Sequence, residues 1–374
     1  MEGRPLRVLW LAKGLGPGGA ERLLVALAHS VDRSRFQCEA AYLLPAKDHL
    51  VGELADAGVP AVCLDAGSTW DLRWAGRLRG LVIAEGIDVV HAHGPYPAAV
   101  ARVALRPLKR RPVLVYTEHN SWDGYRLATR FANAATYPLD DARLAVSDAA
   151  LASVPRVLRG RTEVLVHGVD LEAVRAHRAV RSLVRDELGV DAETVLVVTI
   201  ANLRAHKDYP TLLAAARRVR EAGGPVKFVA VGQGPLEREI GDLASRLELG
   251  DTFRLLGYRD DALDVLAGAD IFTLSSLAEG YPVALMEALA LGIPVVATGV
   301  GGVAEAVRPG VEGLLVPPSR PDLLAAAVLE VAGDAARRAA MSEAASRRSG
   351  LFDIARAARR IEEMYEAAVQ ARLR

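Results

Sequence analysis

The chain has 374 residues, more than one typical core organises, so two domains are expected. With 51% hydrophobic and 25% charged residues, its composition is that of a globular enzyme and excludes a disordered chain. A formal net charge of +0 argues against a nucleic-acid binder that works through bulk charge.

The two cysteines, Cys38 and Cys63, lie in apolar runs without metal-ligand spacing, which predicts reduced core thiols. The N-terminal stretch, with Glu2 and a short apolar run at Val8 to Ala12, lacks the form of a signal peptide. No run of 18 uncharged apolar residues occurs, so no spanning helix is expected and the location is read as cytoplasmic.

In chain order, residues 7–12 read as a buried strand, then a Gly-rich loop at 13–19, then a helix over 20–28. Strand, Gly-rich loop and helix make a phosphate-facing geometry, because no side chain covers the backbone N–H groups. Gly14, Gly16 and Gly19 also fit the spacing of a dinucleotide fingerprint. That fingerprint needs an acid at the end of the second strand; here the strand 37–44 runs into Pro45, with Asp48 beyond it. An NAD-dependent oxidoreductase therefore stays open only as the weaker alternative.

Further strands are predicted at 61–64, 89–91, 113–117 and 144–146, with helices such as 50–57 and 72–85 between them. Alternating helices and Val-rich buried strands predict a parallel, doubly wound α/β sheet that binds ligands at its carboxyl edge. His91 and His93 are placed just after one strand, and Glu118, His119 and Asn120 after the next, with His119 the stronger site candidate. Residues 171–191 are polar and read as the crossover between domains.

The pattern then restarts, with strands at 194–201, 226–232, 252–256 and 271–274 and helices at 209–222, 235–247 and 263–269. This predicts a second doubly wound domain and a cleft between the two. Arg204 and Lys207 fall in the loop after its first strand, where two cations can hold a diphosphate. A solvated basic loop is the plainer reading of the same residues.

Residues 278–302 hold two carboxylates eight positions apart, Glu279 and Glu287. Pro282 suits a helix start, and Gly292 followed by Pro294 a helix end. Alone, Glu279 reads as a helix-start charge and Glu287 as a solvated helix residue. A last helix over 353–373 carries the stripe Ile361, Met364, Tyr365 and Val369 and is expected to pack back across to the first domain.

Several of these motifs, in order, resemble glycosyltransferase family 4, the retaining nucleotide-sugar glycosyltransferases of the GT-B fold. They are Gly-Gly-Ala-Glu-Arg (18–22), His-Gly-Val-Asp (167–170), Asn-Leu-Arg-Ala-His-Lys (202–207), Gly-Gln-Gly-Pro (232–235) and Leu-Gly-Tyr-Arg (256–259). The most specific part is Glu279-x7-Glu287, with Gly-Ile-Pro-Val-Val-Ala-Thr and Gly-Gly-Val-Ala-Glu behind it. The resemblance covers nearly the whole chain and implies two Rossmann-like domains, 1–175 for the acceptor and 192–352 for the donor, with 353–374 as the returning helix.

It also implies roles. Glu287 binds the donor ribose, a carboxylate being able to accept two hydroxyl hydrogen bonds. Glu279 holds the transferred sugar, assisted by backbone around Gly280, Tyr281, Pro282 and Val283. Arg204 and Lys207 neutralise the leaving diphosphate, with no metal and no cofactor. Gly18, Gly19 and Gly232 line the donor site, Gly257, Tyr258 and Arg259 lie by the base, and His119 is the active-site histidine. The partners implied are a UDP- or GDP-sugar and a hydroxyl acceptor, with no nucleic acid. The family's usual Asn before Gly-Val-Asp is His167 here, which leaves the interdomain turn in question.

A GT-B epimerase or phosphorylase and a non-catalytic relative are the remaining readings. Trp70, Trp74 and Leu78 with Arg73, Arg77 and Arg79, and the basic run 106–111, are candidates for peripheral contact with the inner membrane. Core packing under a solvated face explains them more simply.

Overall fold

The computed structural model describes residues 4–67 and 71–373. Contacts divide the chain into two compact units, one made of residues up to Gly168 together with the helix Ile354–Leu373, the other of Val169–Asp353.

The first unit is a seven-stranded parallel sheet of β1 (Leu6–Ala12), β2 (Phe36–Tyr42), β3 (Ala61–Cys63), β4 (Val89–His93), β5 (Val113–Glu118), β6 (Ala142–Ala145) and β7 (Thr162–Val164), in the order β3-β2-β1-β4-β5-β6-β7. Along β1, Val8, Trp10 and Ala12 face one core layer while Leu9 and Leu11 face the other. That period of two, with both faces covered, is why the strand reads as an unbroken apolar run. The strand order reverses between β1 and β4, which opens the crevice where such sheets bind ligands.

Beside the helix Gly19–Ser30, the helix Ile354–Leu373 packs on one face of this sheet. Ile361 and Tyr365 are buried against it, the Tyr365 ring lying 6.1 Å from that of Phe36. The Glu362 carboxylate accepts from the Asp32 N–H at 2.7 Å.

The second unit repeats the design with β8 (Val195–Ile200), β9 (Val226–Val231), β10 (Phe253–Leu255), β11 (Ile271–Leu274), β12 (Val295–Thr298) and β13 (Gly313–Val316), in the order β10-β9-β8-β11-β12-β13. Its switch point lies between β8 and β11. The loops bearing Arg204, Lys207 and Glu279 leave the carboxyl ends of those two strands.

Two expectations change. Residues 171–191 are not a crossover but short helices of the second unit. Their polarity is spent on anchoring: Arg178 donates to the carbonyls of Ala290 and Leu291, and Arg185 to Asp270 at 2.8 Å. Asp270 in turn accepts from the Leu196 N–H, which ties the segment to β8.

His91 and His93 lie within β4 rather than after it, because neighbouring groups satisfy His91 inside the sheet. Its Nδ1 meets the Tyr365 hydroxyl at 2.6 Å and its Nε2 the Thr117 hydroxyl at 2.7 Å.

The helix Arg73–Ala84 is a core helix, with Trp74 and Leu78 fully buried; Trp70 lies outside the described residues. Arg77 caps the carbonyls of Leu64 and Asp65, and Arg73 pairs with Asp71. In the run 106–111, Arg111 is paired with Asp141. Among the described residues, no helix is long and apolar enough to cross a membrane.

Candidate active site

In the second unit, the loop after β8 and the loop after β11 are stitched together by backbone. The Ser275 hydroxyl donates to the carbonyls of Lys207 and Asp208 at 2.8 and 3.0 Å, and the Leu277 N–H donates to His206 at 2.8 Å. Asp208 adopts a left-handed conformation, φ 47°, turning the chain into the helix Tyr209–Ala222, which its side chain caps. Lys207 and Glu279, 72 positions apart, thereby meet, with Nζ 2.5 Å from Oε1. The Ser276 hydroxyl donates to the same oxygen at 2.6 Å. The pair is nearly enclosed, the side chains being 14% and 8% exposed.

Arg204 stands apart. Its side chain is exposed and makes no ion pair among the described residues. An exposed guanidinium in the same loop as the ammonium of a nearly enclosed ammonium–carboxylate pair supplies one cation already placed and one open to a ligand.

Glycines fix the level of the Glu279 loop. The turn after β12 passes so close that a Cβ on Gly301, φ 50°, would lie 1.9 Å from the Glu279 carbonyl oxygen. The Gly302 N–H donates to the Gly280 carbonyl at 2.9 Å. Gly301→Ala should therefore displace Glu279 and cost about 3 kcal/mol or more, the range for an over-packed, strained site. A melting temperature within a degree or so of the wild type would contradict this.

Gly232 is explained the same way, since its Cβ would lie 2.0 Å from the Ala201 carbonyl oxygen. Its N–H donates to Gly257, so the two glycine loops support each other at 2.8 Å. Tyr258 is partly exposed, and Arg259 is held by Glu187 and Asp261.

Pro282 is the N-cap of the helix Val283–Leu291, which ends at Gly292, φ 74°. Every residue of that helix is buried except Ala284 and Glu287, one turn apart on the same face. Glu287 is thus one of only two side chains this helix shows to its surroundings, and the first-turn N–H groups lie beside it. Tyr281 packs its ring against Phe352 at 5.6 Å.

In the first unit, the loop 13–18 is pinned by Leu15, which donates to Lys47 and accepts from Leu50. Gly18 is the N-cap of the helix Gly19–Ser30. A Cβ on Gly18 would meet the Glu21 carboxylate at 2.4 Å, and burial raises that carboxyl above its ordinary range. β2 ends at Tyr42 and runs into Leu43, Leu44 and Pro45, so no acid stands where a dinucleotide ribose would need one.

His119 belongs to a row of four imidazoles that the sequence did not reveal as a unit. Neighbouring ring centres are 4.2 Å apart for His91 and His93, 5.3 Å for His93 and His119, and 5.4 Å for His119 and His167. His93 Nδ1 lies 3.0 Å from His119 Nε2. Burial lowers all four from their ordinary value, His167 to about 4, so the row is neutral.

Both ring nitrogens of His167, and Nε2 of His93, are buried without a hydrogen-bond partner among the described residues. Beside the row, Glu118 is raised to about 7 by burial and is held by the hydroxyls of Tyr116 and Tyr125. The spacing of histidines two apart on β4 hinted at this row; the sheet order that sets β4 against β5 is what completes it. Among the described residues, no group of three His, Cys, Asp or Glu is arranged to hold a metal ion.

Two parallel switch-point sheets, one carrying a lysine–carboxylate pair beside a helix start, define a GT-B protein. The fold agrees with a crystal structure of Anabaena HepE in complex with UDP and glucose, at TM-score 0.84 and 23% identity, covering 97% of this chain and 100% of that one.

The pattern of Glycosyltransferase Family 4 matches residues 17–173 and that of Glycosyl transferases group 1 residues 180–348, and the chain belongs to this glycosyltransferase family. Bacillus subtilis (strain 168) EpsF, named as a glycosyltransferase, is 28% identical over 77% of this chain and 78% of its own length. The Escherichia coli UDP-Gal:alpha-D-GlcNAc-diphosphoundecaprenol alpha-1,3-galactosyltransferase is 24% identical over 86% of both. The chain is thus a transferase with relatives in polysaccharide biosynthesis.

Proposed function

We propose that the chain transfers a hexose-type sugar from a UDP- or GDP-sugar to a hydroxyl acceptor, a glycan, lipid-linked glycan or small metabolite, with retention and without a divalent metal. The observation that carries this reading is the Lys207–Glu279–Ser276 cluster beside the start of the helix Val283–Leu291. Both donors converge on Oε1 of Glu279, so Oε2 is left for sugar hydroxyls. Glu287, on the one uncovered face of that helix, suits the ribose. The HepE structures, one with UDP-glucose, and the UDP-Gal named for the Escherichia coli relative support UDP as the first donor to test.

The chemistry follows from where charge develops. As the glycosidic bond to phosphate breaks, the sugar gains positive character and the diphosphate gains negative charge. Lys207, Arg204 and the first-turn N–H groups act on that oxygen, at about 3–4 kcal/mol for each well-placed donor. Two cations here do the electrostatic work a metal does elsewhere. The acceptor hydroxyl attacks the face the diphosphate leaves, and the departing phosphate oxygen takes its proton. His119 keeps the role given by the resemblance, that of the active-site histidine, as a neutral imidazole.

A thermal-shift screen with UDP, GDP and NAD tests the donor. A ligand at a hundred times its Kd stabilises by about 2.7 kcal/mol, a shift of several degrees. UDP or GDP is expected to give it, and transfer is expected to survive EDTA. A shift with NAD alone would overturn the reading.

A further inference from the structure

The exposed apolar surface of the first unit is not where the tryptophan-containing segment suggested. In the ten-residue helix Leu127–Thr136, the exposed positions are Leu127, Ala128, Phe131, Ala132 and Ala135, every one of them apolar. At 3.6 residues per turn they form a single stripe. Leu127 is 68% and Phe131 73% exposed. The polar side faces inward, where Asn133 accepts from buried Arg102 at 2.7 Å and Thr136 at 3.0 Å. The helix is thus turned inside out, held by polar groups and showing its apolar face to solvent. A contiguous exposed apolar face marks an interaction surface.

A second apolar tip adjoins its end. Val157 is 93% exposed, and its segment is joined to the helix by Arg143, which lies 4.8 Å over the Tyr137 ring and donates to the carbonyls of Leu158 and Gly160. Arg126 precedes the helix, and Arg156 and Arg161 flank Val157. All three are exposed, and none makes an ion pair among the described residues. Other arginines of the chain are neutralised by carboxylates, as Arg102, Arg111 and Arg185 are.

We propose that this face, with Leu127, Phe131 and Val157 as the apolar tips and Arg126, Arg156 and Arg161 as the charged rim, seats the first unit on an anionic lipid surface. Apolar tips enter the acyl boundary while guanidinium groups remain among the phosphates, and the two signals together give reversible binding. A second copy fits less well, because two such rims would repel each other. The face begins eight positions after His119. Only the further idea that it brings a lipid-borne acceptor to the enzyme rests on the transferase reading.

Co-sedimentation of the full chain with vesicles, without any donor, tests the surface apart from catalysis. Binding is expected to vesicles containing phosphatidylglycerol, weakly or not at all to phosphatidylcholine alone, and to fall with salt. Arg126→Glu, Arg156→Glu and Arg161→Glu should each weaken it by about fivefold or more. Leu127→Ser with Phe131→Ser should weaken it by roughly tenfold or more, at unchanged melting temperature. Wild-type indifference to phosphatidylglycerol at low salt, or undiminished binding by the variants, would overturn the proposal. So would sedimentation velocity showing a dimer that Leu127→Ser with Phe131→Ser dissociates while vesicles are ignored.

Discussion

Arg204→Ala should lower kcat by roughly a hundred- to a thousandfold and leave the melting temperature almost unchanged, whereas Lys207→Ala should lower both. The two cations differ in what holds them. Arg204 is exposed and makes no ion pair among the described residues, so its loss should change stability by no more than about 0.5 kcal/mol. Lys207 neutralises a nearly enclosed carboxylate. Removing it leaves Glu279 with the Ser276 hydroxyl alone, at a cost of about 3 kcal/mol.

Lys207→Ala combined with Glu279→Gln should recover part of that stability and none of the rate. Initial rates and melting curves on the three variants decide the matter. Equal destabilisation by the two alanines, or less than a tenfold loss of rate at both, would refute the division of labour.

Acidification should unfold the first unit steeply below about pH 6.5, the ordinary histidine value. Each imidazole of the row is held below that value, so the unfolded chain takes up protons first as pH falls, and stability present above pH 6.5 is lost. Glu118, raised to about 7, and Asp140, raised to about 6 by burial, act in the opposite sense, because the folded state keeps protons that the unfolded chain releases. Four imidazoles against two carboxyls leave two protons net, or about 2.7 kcal/mol per pH unit between pH 6 and 5.

All four tryptophans, Trp10, Trp70, Trp74 and Trp122, precede residue 169, so tryptophan fluorescence reports on this unit alone. His167→Asn should reduce the slope by about 1.4 kcal/mol per pH unit. A flat profile over that range would mean that the row is hydrated and titrates normally.

Legibility in the sequence followed burial. Strands covered on both faces, such as Val195–Ile200, announce themselves as apolar runs, and the helix Val283–Leu291 is bracketed by Pro282 and Gly292. The edge strands Thr162–Val164 and Gly313–Val316 were missed because three or four residues, partly solvated, carry no readable alternation. Arginine misled once, between residues 171 and 191, where it looked like a crossover between domains and proved to be anchorage. On the helix Arg73–Ala84 the plainer reading, core under a solvated face, agrees with the buried Trp74 and Leu78.

At the site, residue types and motifs could be read but pairings could not. That Lys207 reaches Glu279, or His93 reaches His119, depends on which strands are neighbours, and strand order is not local information. Ser276 went unnoticed because a serine after a strand has no distinctive chemistry until a carboxylate is placed beside it.

The helix Ile354–Leu373 belongs to the first unit, although the whole of the second unit separates it from Gly168 in the chain. The second unit is therefore an insertion, and synthesis completes it first. A nascent chain that has already made Val169–Asp353 can close that unit while Phe36 and His91 still await Tyr365. Until that helix emerges, His91 lacks its Tyr365 partner and part of one face of the sheet is uncovered. Translation order thus lets the second unit close while the first still waits for its returning helix.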